Sequence, residues 1–291
     1  MSSVTPSNAI VTASYAPDFD RCAILCETID KHVTGYDKHY ILVAESDASL
    51  FRSLEGPTRM VVGERDILPA WLRSFPDPLK FGRRSVWLSL RALPLHGWQV
   101  QQLRRIAIAD HVPEEGLMFC DSDTAFVRPY DLGSAWRDDR LRLYRQENGL
   151  SSARDDHAIW VRNAAAVLGV ENDRMNGHDY VGTMIHWRAG LVRAMCRHIE
   201  SASGRHWLAA MGRSRKFSEC MLYGHFVDDV LGGEGHYHDP VSICRMGWFA
   251  PPPSEAELGD WIRDLSPGQV AIGIQSFLPF DEGAFKRIIG I

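Results

Sequence analysis

The sequence has no Cys-x-x-Cys pair, no apolar run long enough to cross a bilayer and no surplus of positive charge. Its six cysteines, Cys22, Cys26, Cys120, Cys196, Cys220 and Cys244, are scattered, and several sit inside apolar runs where a thiol behaves as a small hydrophobe. That usage argues against a disulfide framework and suits a reducing compartment. A spanning helix needs about 18 apolar residues in succession, and no window approaches this. The start, Met1 to Asn8, carries neither the basic nor the apolar region of a secretion signal, so the expectation is a cytoplasmic protein with no transmembrane segment. Lys and Arg number 32 against 37 Asp and Glu, and a net charge of -5 gives no global field for nucleic acid or an anionic membrane. The best local basic stretch, Arg83, Arg84 and Arg91, lacks interleaved stacking aromatics and reads as a solvated face. Repeats and low-complexity segments are also missing.

What is present suits an ordinary globular chain: 291 residues, 45% hydrophobic and 24% charged. The first half alternates apolar runs with helical patterns, the signature of βα units around a mostly parallel sheet. Ala9 to Ala13 is a β-branched apolar run. Asp18 then opens a helix whose buried stripe is Cys22, Leu25, Cys26 and Ile29. His39 to Ala44 and Arg59 to Val62 read as two further strands, with a short helix around Ala48 to Leu54 between them. A segment rich in breakers and aromatics (Pro69, Trp71, Phe75, Pro76, Pro78, Phe81, Gly82) forms an excursion before a helix from about Trp98 to Asp110. Leu117 to Cys120 is a short continuous apolar run of the kind a buried strand shows. The second half is less regular, with helices expected at Ala158 to Leu168, Arg188 to Ser201 and Phe217 to Leu231 and a late strand at Val270 to Ile274. Pro251, Pro252 and Pro253 read as a stiff surface connection, which favours one continuous α/β domain with a helical C-terminal elaboration.

Chemistry concentrates at Asp121, Ser122 and Asp123, just after the buried run. They leave the buried strand, whose period of two places both carboxylates on one side and Ser122 on the other. Like charges this close in a partly buried site call for a positive partner, and hard oxygen ligands select Mg²⁺ or Mn²⁺. Carboxyl ends of parallel strands are also where α/β sheets bind ligands.

The buried strand, the Asp-x-Asp and the following Phe126, Val127, Arg128 and Pro129 resemble the metal-binding segment of GT-A glycosyltransferases. The runs Gly97, Trp98, Gln99, Gln101, Gln102 and Phe217, Ser218, Glu219, Tyr223, Gly224 resemble an uncharacterised bacterial branch of that fold. Together they cover roughly residues 10 to 245. The resemblance implies a Rossmann-like, mostly parallel sheet flanked by helices, in a single domain spanning 1–291. Within it 1–130 would be the nucleotide-binding half and 131–291 the acceptor-side half. It implies a nucleotide-sugar donor, UDP-linked, a glycan or small hydroxyl acceptor, and Mn²⁺ or Mg²⁺ on Asp121 and Asp123. Nucleotide contacts would come from Thr12, Ala13, Ser14 and Tyr15 after the first strand, with Asp66, Gln102, Arg105 and Ser122 as further candidates. A late histidine, His238 with His236 as fallback, would complete the metal shell. Glu219 or Asp179 would take the acceptor proton, and Gly182 and Trp187 lie in a segment resembling a sugar-contacting loop.

Two other readings remain open. A haloacid-dehalogenase-type phosphohydrolase would use Asp121 as its nucleophile, but here the pair follows four expected strands rather than one, and Ala125 stands where that pattern usually has Thr or Val. A catalytically silent nucleotide- or sugar-binding module on the same fold is the leading non-enzyme reading.

Overall fold

Val11, Ile41, Val43, Val61 and Val62 give the first apolar runs the β-branched character that packs well in sheets. In the computed structural model these runs are β1 (Asn8–Ala13), β2 (Lys38–Val43) and β3 (Arg59–Gly63), followed by β4 (Gly116–Cys120). The structure describes residues 6–80, 84–152, 155–248, 250–279 and 281–291. Phe81, Gly82 and Arg83, read above as part of the excursion and the basic stretch, lie outside them. β1 is central: it pairs in parallel with β2 on one side and with β4 on the other, so that Ile10 stands opposite both His39 and Met118. β3 extends the sheet beyond β2, again in parallel.

Further along come β5 (Thr124–Phe126), β6 (Arg140–Tyr144) and β7 (Met184–Arg188). β7 closes the main sheet as an antiparallel neighbour of β4, Met184 opposite Cys120, giving the order β7-β4-β1-β2-β3. β8 (His236–Asp239) runs parallel beside β6. β9 (Cys244–Gly247) and β10 (Ala271–Ile274) join β5 in a separate three-stranded sheet.

Both faces of the main sheet are covered, as parallel strands require. Ile10 and Met118 pack with Leu25 and Ile29 of α1 (Phe19–His32). Ala9, Val11, Leu117 and Phe119 point the other way, into a cluster with Val100, Leu103 and Ile106 of α2 (Gly97–Ala107). The expected α1 stripe of Cys22, Leu25, Cys26 and Ile29 is buried throughout. α3 (Asp155–Leu168), α4 (Ala189–Ser203) and α5 (Glu219–His225) follow, then α6 (Glu255–Arg263) and α7 (Glu282–Ile289).

Three expectations change. Phe217 to Leu231 is not one helix: α5 passes into a π-helical turn, Phe226–Val230. Gly224 sits where a Cβ would lie 2.1 Å from the Tyr180 ring, so only glycine lets α5 approach that ring. The excursion contains an antiparallel sheet of Arg73–Pro76, Ser85–Leu88 and Leu95–His96. Most consequential for the site, β4 ends at Cys120, and Asp121 to Thr124 form a turn in which Thr124 Oγ1 donates to the Asp121 carbonyl at 2.7 Å. Strand alternation therefore does not orient the acid pair. Among the described residues no helix is long and apolar enough to cross a membrane.

Candidate functional site

The chain moves outward from β1 to β2 and β3, then returns to place β4 on the other flank of β1. Between β1 and β4 the strand order reverses, and the crevice at their carboxyl ends is the topological switch point where open α/β sheets receive ligands. Tyr15 and Asp18 leave β1 at this crevice, and Asp121, Ser122 and Asp123 leave β4.

Asp121 is not left to repel its neighbour. The Arg105 guanidinium, reaching in from α2, donates through Nη2 to Asp121 Oδ1 and through Nη1 to Glu219 Oε1 at 2.9 Å. Burial works against the charged form of Arg105, but Asp121 and Glu219 outweigh it and hold its pKa above the ordinary arginine value. Gln102, one turn earlier on α2, accepts the Glu219 backbone N–H at 3.0 Å. Resemblance suggested Arg105 and Gln102 for the nucleotide and Glu219 as base; the structure gathers all three into one buried clasp between α2, α5 and the turn. The guanidinium is shared by two carboxylates, and the Glu219 side chain is only 5% exposed.

Asp123 has a different environment. Its Oδ2 accepts the Ser276 backbone N–H at 3.0 Å, while Oδ1 is buried and has no hydrogen-bond partner among the described residues. Burial, then the charges of Asp121 and Asp18, push Asp123 up to about 7. Burial also raises Asp18, against the pull of Arg21 and a hydrogen bond from Ser122. Tyr15, 47% exposed, hydrogen-bonds the Ser276 side chain and feels both Asp18 and Arg84. Asp18, Asp121 and Asp123 thus form an electrostatically linked acidic group at the switch point, rimmed by Tyr15. Sequence reasoning missed Asp18, which looked like a helix opener, and Ser276, about 150 residues distant, for which the sequence holds no signal.

An orphaned buried carboxylate oxygen among oxygen donors fits a hard divalent cation. Among the described residues no group of three or more His, Cys, Asp or Glu side chains is arranged to hold a metal by itself. Mg²⁺-type sites commonly use one or two carboxylates and take the remaining ligands from substrate phosphates and water.

The other candidates lie elsewhere. Thr12 is fully buried and bonded through Oγ1 to His39 Nε2 at 3.0 Å. Ala13 offers its carbonyl to the Gln101 amide at 3.3 Å, and Ser14 is buried beside Cys22. Asp66 lines a separate cavity of about 300 Å³ with Asp110, His111 and His206. His238 pairs through Nε2 with Asp228 Oδ1 at 2.8 Å rather than with the acid pair. Hydrogen bonds from His238, Tyr180 and Arg145 overcome the effect of burial and hold Asp228 down at about 2. Trp187 is a core residue stacked 4.8 Å from Tyr223, and Gly182 packs against Tyr144. His236 is buried between the Tyr223 hydroxyl and the Leu141 carbonyl.

Asp179 accepts from His157 Nδ1 at 2.7 Å, forming a mostly buried dyad that sequence reading had reached only through its acid. The His157 ring stacks on Trp160 at 4.6 Å, and Trp160 lies 5.9 Å from the half-exposed Trp98 at the start of α2. Trp98 in turn gives its carbonyl to Gln102, so the dyad and the acidic group flank the same helix.

Residues 3–239 match the model of DUF6492, a family of unknown function. The chain belongs to this family. A search of curated proteins gives no match. The DUF6492 match contains Asp18, Arg105, Asp121, Asp123, the His157–Asp179 dyad and Glu219, while Ser276, which holds Asp123, lies beyond it.

His236 carries a pH prediction. Burial lowers its imidazole to about 4, so between that value and the ordinary histidine range it is neutral when folded and protonated when unfolded. Its contribution is complete above the unfolded pKa and is lost as the pH falls toward 4, about 3 kcal/mol in all. Asp123, raised rather than lowered, has the opposite slope, so the His236 part must be read by difference. Urea unfolding near pH 7 and pH 4.5 should show His236→Gln protein losing about 2 kcal/mol less than wild type on acidification. Equal losses would mean that the ring is hydrated in the fold.

Proposed function

We propose that the chain is a metal-dependent glycosyltransferase of GT-A type, moving a sugar from a nucleotide-sugar, UDP-linked, to a hydroxyl of a surface glycan or its precursor. The observation that carries this reading is Asp123: a buried carboxylate with an unpartnered oxygen, beside Asp121 and Asp18, at the switch point of a mostly parallel sheet. Asp123 and Asp121 would hold Mg²⁺ or Mn²⁺, which when bound neutralises the diphosphate of the leaving group. Arg105 fixes Asp121 in place through the clasp with Glu219. Tyr15, exposed at the rim, has the area to stack on a nucleobase. On the acceptor side the proton passes to His157, whose Nδ1 is held by Asp179, leaving Nε2 as the basic nitrogen. This assigns to Asp179 the orienting of a base, and to Glu219 the clasp.

A ligand that binds only the folded chain stabilises it by about 2.7 kcal/mol at a hundredfold excess over Kd, so Mn²⁺ with UDP should raise the melting temperature by several degrees. Asp123→Asn should abolish the Mn²⁺-dependent part of the shift. An equal shift in the variant would move the cation elsewhere. A silent binding module is favoured by one observation, that Asp121 already has an internal counter-ion in Arg105. The same measurement separates the readings: a module would be stabilised by UDP without metal and would leave nucleotide-sugars intact.

A further inference from the structure

Among the described residues from Arg73 to Leu93 stand four cations, Arg73, Lys80, Arg84 and Arg91, against one acid, Asp77: a local +3 in a chain of net charge -5. The four described cations are exposed, whereas Asp77 is buried and uses its carboxylate to accept the Leu79 backbone N–H at 2.9 Å. The exposed charge among the described residues is therefore of one sign. The same stretch carries Phe75, Leu79, Leu88, Leu90 and Leu93, all exposed, Leu79 to 85% and Leu90 completely.

The exposure is not that of a loose loop. On the inner face of the small sheet Trp87 and Leu95 are buried and paired, and Trp87 Nε1 donates to Glu64 Oε2 at 2.9 Å beneath the Arg104 guanidinium. The Leu93 backbone N–H is tied to the Gly212 carbonyl at 2.9 Å. Anchored from within, the outer face keeps Arg73, Phe75 and Leu88 in solvent.

We infer that the described residues of this surface dock the protein on an anionic membrane surface, their leucines entering the headgroup boundary and their cations meeting lipid phosphates. Separate, fully exposed leucines need no shaped pocket in a bilayer, and unopposed arginines gain from a negative surface potential. A protein partner would have to supply both a pocket for each leucine and a carboxylate for each cation. Arg84 acts on Tyr15 at the site rim, so the bound membrane would lie beside the switch-point crevice. If the glycosyltransferase reading holds, an acceptor carried at that surface would be presented to it, but docking itself does not rest on that reading.

The test is co-sedimentation of the full chain with vesicles, either of phosphatidylcholine alone or of equal parts phosphatidylcholine and phosphatidylglycerol, without nucleotide or metal. Binding should be at least about tenfold stronger to the anionic vesicles and should fall steeply between about 0.1 and 0.5 M salt as the charges are screened. Leu79→Ser combined with Leu90→Ser should weaken it by about tenfold or more with unchanged melting, since both side chains are exposed. Unchanged vesicle binding in that variant would overturn the proposal. So would absence of vesicle binding, including the case where the wild type instead self-associates through these leucines, read by sedimentation velocity. Because no nucleotide is present, failure here leaves the metal-and-UDP shift intact, and failure of that shift leaves this result intact.

Discussion

Arg105→Met is expected to cost about 3 to 5 kcal/mol of folding stability, the effect of removing one partner from a buried ion network. The guanidinium side chain is 8% exposed and serves two carboxylates at once. Without it Glu219, more deeply buried than Asp121, keeps a charge that neither water nor any other cation in the clasp can reach. The fold would answer by protonating Glu219, so the loss should be smaller at pH 5 than at pH 8. Arg105→Lys should recover only part of the stability, because an ammonium cannot bridge two carboxylates as a planar fork does. Arg105→Met combined with Glu219→Met should be more stable than Arg105→Met alone, since the orphaned charge is gone. Urea unfolding of the three variants at both pH values decides this. A loss under about 1 kcal/mol for Arg105→Met, the range of exposed pairs, would show that the clasp is solvated.

The clasp also marks how far the sequence could be read. β1, β2, β3 and β4 were legible because each holds a short apolar run, with β-branched residues in the first three, and α1 because its stripe recurs at helical spacing. β7 was not: Met184–Arg188 holds a histidine and an arginine, and His186 is buried against the Tyr130 hydroxyl, a partner nothing local announces. The end of β7 was absorbed into an expected helix starting at Arg188, whereas α4 starts at Ala189. At the site the acid pair could be found by position after β4, but the orientation derived from strand alternation did not hold, because a turn hydrogen bond intervenes. The same limit explains Arg105. Nothing in α2 itself points to Glu219, which only the return of α5 brings within reach of the guanidinium. For His238 the pairing with Asp228 depends on the π-helical turn, whose extra residue per turn no periodicity argument over 217–231 anticipates.

His157→Gln is expected to lower acceptor-dependent turnover by about 10² to 10⁴, the usual contribution of a positioned general base, once the nucleotide-sugar that stabilises the chain is known. Asp179 holds Nδ1 at 2.7 Å, while its other oxygen accepts the Val181 backbone N–H at 2.9 Å, so the carboxylate is itself fixed and in turn fixes one tautomer of the ring. Stacking on Trp160 restricts the ring plane. A base held this way acts only when an acceptor hydroxyl loses its proton, so hydrolysis of the donor by water and Mn²⁺-dependent UDP affinity should change far less than transfer. Asp179→Asn should keep the hydrogen bond but favour the wrong tautomer, lowering kcat while leaving the acceptor KM nearly unchanged. The limb of the pH–rate profile that reports the base should disappear in the His157→Gln variant. If the dyad serves only to pin α3 against the segment after β6, both changes should lower the melting temperature and reduce transfer and hydrolysis together, in proportion to the folded fraction. Equal loss of the two activities, with an unaltered pH profile in the folded remainder, would remove His157 from the chemistry.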